Sequence, residues 1–107
     1  MSDAIPVAVI ADAVAAAKAW LRVESEEGLA ALAETAILTA EAFVGREIVA
    51  RDGSAGWDAV PAPVAQGVAM LAAHLFDHRE SDALPPAAVA ALWRPYRRMR
   101  LSPEVAA

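Results

Sequence analysis

Apolar residues recur at three- and four-residue steps through most of this chain, and that recurrence predicts helices. Leu29, Leu32, Ala36, Ala40 and Phe43 form one stripe, widened by Ile37 and Val44. Ser25 is placed to cap it, Glu26 and Glu27 sit where the helix dipole favours negative charge, and Gly45 supplies a stop able to take positive φ. The pattern predicts a helix over 25–44, with Glu34 and Glu41 off the buried stripe. Val64, Val68, Leu71 and Leu75, flanked by Met70 and Phe76, predict a second long helix over about 62–79. Pro61 and Pro63 mark its entrance, because the N–H that proline lacks would be unpaired in a first turn anyway.

Two shorter helices complete the pattern. Val14, Ala17 and Leu21, with Trp20 beside them, predict one over 12–22, capped by Asp12. Val89, Leu92 and Trp93 share a face of another that starts at Pro85-Pro86 and ends at Pro95. Residues 1–10 read as an arm with some strand character, in which Pro6 blocks a helix. Glu47–Arg51 has the makings of a short strand, Asp52-Gly53 of a turn, and Trp57 and Val60 are expected to fold back on the core. The expected fold is all-α: a small bundle of about four helices, two long and two short, with an extended C-terminal tail. The helical domain is assigned to 1–93 and the tail to 94–107.

Composition agrees with one domain of 107 residues. Hydrophobic residues make up 58%, but many are alanine, which favours helix and close helix approach while burying little area each. A core of this kind invites support from neighbouring subunits. With no cysteine there is no disulfide and no thiolate chemistry. The start, Met1-Ser2-Asp3-Ala4, lacks the basic residues of a signal peptide, and no apolar run is long enough to span a membrane.

Candidate chemistry is sparse. His74 and His78 stand at i and i+4, a spacing that suits a divalent metal, but Leu75 stands where a general-base glutamate would be. The plainer reading is a pair of histidines at a helix edge. Asp77, Arg79 and Glu80 read first as a solvated helix end and second as a polar cluster. No phosphate loop or nucleophile motif is present, so neither an enzyme nor a bound cofactor or metal is expected.

The C-terminal tail is the strongest departure from the rest of the chain. Arg94, Arg97, Arg98 and Arg100 face one acid, Glu104, so residues 94–107 sum to +3; the chain stands at −5, which leaves −8 on 1–93. Arginine, tyrosine and tryptophan are enriched at interface centres, which suits a protein-docking tail. Arginine also pairs with phosphate and tyrosine stacks on bases, which suits a nucleic-acid arm, although the acidic body repels DNA. A third reading is a surface end that packs Trp93 and Tyr96 on its own domain.

The order of several motifs adds a resemblance. Ala17-Lys18-Ala19-Trp20-Leu21-Arg22-Val23 is followed by an acidic cap and a long helix ending in Phe43-Val44-Gly45-Arg46. Then come His74-Leu75-Phe76-Asp77-His78-Arg79-Glu80, a Pro85-Pro86 helix start, and Arg94-Pro95-Tyr96-Arg97. Over about 11–101 the chain resembles the head–tail connector (adaptor) proteins of tailed phages, prophages and gene transfer agents. The resemblance implies a non-enzymatic helical protein that forms a homo-oligomeric, twelve-fold ring beneath the portal protein. It implies a contact with the next stopper or tail protein, and DNA that passes through the ring without being specifically bound. It places the protein at the head–tail junction of a virion or virion-like particle, and in the bacterial cytoplasm during assembly. It assigns portal docking to the tail at Pro95, Tyr96 and Arg97, and the tail's own residue types extend the docking set to Trp93, Arg94, Arg98 and Arg100. Two departures from the family pattern are the short, glycine-bearing 46–60 connection and Gly28 after the cap of the second helix. Without the resemblance, the alternative is a small helical DNA-binding or regulatory protein that uses the tail as a basic arm.

Overall fold

Proline opens three of the four helices in the computed structural model, which describes residues 4–21, 28–79 and 84–97. Helix α1 is Val7–Lys18, α2 is Leu29–Val44, α3 is Ala62–Asp77 and α4 is Ala87–Trp93. Pro6, Pro61 and Pro86 stand just before α1, α3 and α4 with φ between −54° and −59° and ψ near 138°. The ring fixes φ near this value, and the proline carbonyl accepts a first-turn N–H. Val9 N donates to Pro6 O at 3.0 Å, Ala65 N to Pro61 O at 2.9 Å, and Val89 N to Pro86 O at 3.1 Å.

The first helix therefore starts five residues earlier than the sequence pattern predicts. Pro6 starts it rather than blocking it, Ile5 is buried ahead of it, and Asp12 is an exposed mid-helix residue rather than a cap. The second helix starts later than predicted, at Leu29, behind Gly28 in the left-handed region at φ 82°. The predicted cap at Ser25 lies outside the described residues. Gly45 ends α2 as expected, at φ 85°, with its N–H on Glu41 O at 2.9 Å.

The fold is all-α, with four helices and no strand among the described residues. Helix α3 sits at the centre and touches the other three. Its Val64, Val68, Leu71 and Ala72 are buried, against Val9, Ala13 and Ala17 of α1 and Leu29, Ala33, Ala36, Ile37 and Ala40 of α2. Alanines at these facing positions hold little side-chain volume, which permits close helix approach, and the larger Ile37, Val64 and Val68 are fully buried among them.

The predicted strand at Glu47–Arg51 is an irregular loop. Its backbone is satisfied from the side by Glu41, which sequence periodicity places off the core and which is only 9% exposed. The Glu41 carboxylate accepts from Ile48 N at 3.0 Å and Val49 N at 3.4 Å, and pairs with both terminal nitrogens of Arg51 at 2.9 and 2.5 Å. Arg51 Nη1 also donates to Val49 O at 2.8 Å. A bidentate carboxylate–guanidinium pair thus takes the place of a strand partner. Beyond it, Ser54 N donates to Asp52 Oδ1 at 2.9 Å, and a 3-10 turn at Trp57–Ala59 returns Val60 to the core with Trp57 half-buried against it.

Candidate functional site

The sequence assigns docking to seven residues, and the structure divides them. Trp93 closes α4 and belongs to the core, at 2% exposure. Its indole N–H donates to Val64 O at 3.1 Å, and its ring meets that of Phe43 at 5.8 Å and 57°. The reason is a recess on α3: Gly67 has no side chain, and the indole lies where one would be. Trp93 is therefore corrected from a docking side chain to the anchor of the tail.

Pro95 does not simply end the helix. Arg94–Tyr96 continues as a 3-10 turn, with the proline in a first turn where it forfeits no bond, and Arg97 N closes the turn on Arg94 O at 3.1 Å. Arg97 then turns extended, at φ −70° and ψ 126°. Arg94, Pro95 and Arg97 are exposed, and Tyr96 is half-buried against the core. The guanidinium of Arg97 lies over the Phe43 ring, 5.2 Å from its centroid. Arg98 and Arg100 lie outside the described residues.

Beside this exit runs an open apolar groove of about 370 Å³. Thr35, Thr39 and Phe43 of α2 form one wall, Leu75 of α3 contributes to the lining, and Pro86 and Ala90 belong to the α4 wall. Its chemistry is that of contact surface rather than of proton transfer. Nothing in the sequence pattern marks the groove, because its two walls come from segments some fifty residues apart. The interior glycine of α3 was the available signal, since glycine in a helix costs about 1 kcal/mol against alanine and usually has a packing reason.

The other candidates resolve into local structure. His74 and His78 stack at 4.4 Å and 29°, and Nδ1 of His78 lies 3.0 Å from His74 O. Among the described residues no group of three or more His, Cys, Asp or Glu converges on a metal-sized space. Arg79 lies over the Phe76 ring at 4.1 Å, and Glu80 falls outside the described residues. The fully exposed positions of α2 are uncharged, Ala31, Leu38 and Ala42 among them, with Leu38 47% exposed, and the partly exposed Glu34 shares their face. Trp20, after α1, is exposed as well. No described helix is long and apolar enough to cross a membrane. No protein-family model, curated protein or solved structure matches the chain.

Proposed function

We propose that this protein is a structural head–tail adaptor of a phage or phage-like particle, acting as a helical ring subunit whose C-terminal tail grips a portal protein. The observation that carries the reading is the anchored exit of the tail. Trp93 is pinned to α3, and from it the chain presents Arg94, Pro95 and Arg97 to solvent at the edge of an acidic body. A short arginine-rich segment leaving a rigid anchor loses little orientation on docking, and its guanidinium groups suit carboxylates on a partner. The motif order from Lys18 to Arg97 supports the same reading.

Ring contacts fit the alanine-bearing face of α2 at Ala31, Leu38 and Ala42, where Glu34 is the one charge, with the 46–60 loop as the complementary patch. A head-to-tail ring needs two different surfaces, and an alanine-rich face allows identical subunits to come close. The acidic body suits a channel for DNA, since a basic wall would hold the duplex.

The test is Arg94→Glu/Arg97→Glu/Arg98→Glu in the full chain. The variant is expected to fold and to leave filled heads without tails by electron microscopy. Normal particles would overturn the reading. Tight binding of the wild-type protein to duplex DNA at physiological salt, with a steep salt dependence, would replace it with the basic-arm alternative.

A further inference from the structure

We propose that the apolar groove between α2 and α4 receives the protein's own C-terminal segment, with Met99 and Leu101 as the inserted side chains. The described chain reaches Arg97 already extended, with its guanidinium over the Phe43 ring that forms part of the groove wall. Ten residues follow, beginning Arg98-Met99-Arg100-Leu101. If the segment continues extended, alternate residues share a face, which would put Met99 and Leu101 on the side that Arg97 turns to Phe43 and Arg98 and Arg100 on the other. That alternation would offer the groove an apolar edge and water a basic one.

The spacing along the groove matches as well. Two extended residues advance about 6.6 Å. Four helical residues advance about 6 Å. Phe43, Thr39 and Thr35 are one helical turn apart, and all three line the groove. A segment running back along α2 from Arg97 on Phe43 therefore brings Met99 to Thr39 and Leu101 to Thr35. The groove, at about 370 Å³, falls within the size of sites that hold small ligands, which suits two long apolar side chains.

The inference concerns the free protein and stands apart from the adaptor reading. If both hold, the seated tail is withheld from other partners until one displaces it, and the cost of displacement lowers apparent affinity for the portal.

Paired cysteines in the otherwise cysteine-free full chain test it. Thr39→Cys/Met99→Cys and Thr35→Cys/Leu101→Cys are compared with Thr39→Cys/Arg98→Cys and Thr35→Cys/Arg100→Cys, at low protein concentration under a mild added oxidant. Thr35 and Thr39 are exposed, so the cysteines placed on α2 leave the core intact. The Met99 and Leu101 pairs are expected to close intramolecular disulfides about tenfold faster than the Arg98 and Arg100 pairs, because seating raises the effective concentration of one face only. Equal rates for all four would mean a tail that does not seat. Disulfide dimers in place of monomers would assign the groove to a second copy. Either result overturns the proposal, and neither bears on whether the tail joins heads to tails.

Discussion

Gly67 and Trp93 occupy one site between them. A Cβ built on Gly67 would lie 2.8 Å from both Cδ1 and Cε2 of the Trp93 ring, closer than real side-chain contacts, and the indole N–H uses the same recess to reach Val64 O. A missing side chain on α3 thus sets where α4 ends and where the tail departs.

Gly67→Ala carries two opposed effects. Alanine in a helix interior gains about 1 kcal/mol over glycine. Overpacking a closed core costs about 1–3 kcal/mol, and displacing the indole forfeits a buried hydrogen bond of about 1 kcal/mol more. The clash is with the ring of a buried tryptophan rather than with a flexible chain end, so overpacking wins. The variant is expected to be less stable by about 1–3 kcal/mol, with a red-shifted indole emission. A raised Tm would show that the ring does not sit on Gly67.

Trp93 itself separates ring from hydrogen bond. Trp93→Phe keeps an aromatic ring against Phe43 and loses the bond to Val64 O, leaving that carbonyl to whatever its own helix supplies. It is expected to cost about 1–2 kcal/mol. Trp93→Ala adds a cavity, for about 3–5 kcal/mol in total. Urea titration reads both. Near-equal losses for the two variants would mean that the ring contributes little beyond its N–H.

The 46–51 loop depends on Glu41. Glu41→Ala removes the acceptor for Ile48 N and Val49 N and the carboxylate partner of Arg51, which keeps its bond to Val49 O. Breaking a buried pair by removing one partner costs about 3–5 kcal/mol, and the 13% exposure of Arg51 brings the expected loss to the lower end of that range. Glu41→Gln keeps an acceptor for the loop backbone and is expected to lose about half as much. Hydrogen exchange at Ile48 and Val49 is the discriminating readout. Unchanged protection there in Glu41→Ala would remove Glu41 from the role.

How far the sequence carries this fold depends on what kind of signal each element gives. The two long helices were legible because their stripes repeat over four turns and glycine or proline punctuates their ends, as Gly45 and Pro61 do. The start of α1 is not legible from periodicity: Pro6 reads as a helix breaker, although the physics that makes Pro61 an entrance applies to it equally. Glu41 was misread because periodicity ranks residue type, and its partner Arg51 lies ten residues on, across a loop whose path no local pattern specifies. The tail residues Arg94, Pro95 and Arg97 were legible as an exposed, charged exit. Trp93 is legible only as a choice between the two, because an indole suits a docking surface and a core equally well. Only the recess at Gly67, a tertiary fact, decides between them.

Asp52 supplies the one pH-dependent prediction. Its carboxylate accepts from the Ser54 side chain and then from the Ser54 backbone N–H, and these bonds hold its pKa below the usual 3.8. A depressed folded-state pKa contributes stability that is present above the unfolded value and disappears as pH falls through the folded one. The effect is therefore confined to pH below about 4, and the fully exposed position of Asp52 leaves it small. NMR titration of the Asp52 carboxyl should give a midpoint below that of an unstructured aspartate. Ser54→Ala removes the larger of the two bonds but leaves the backbone N–H, so the midpoint should move only part of the way back. A midpoint unchanged by Ser54→Ala would place the cause in the backbone turn at Gly53, where φ is 79°, rather than in the serine hydroxyl.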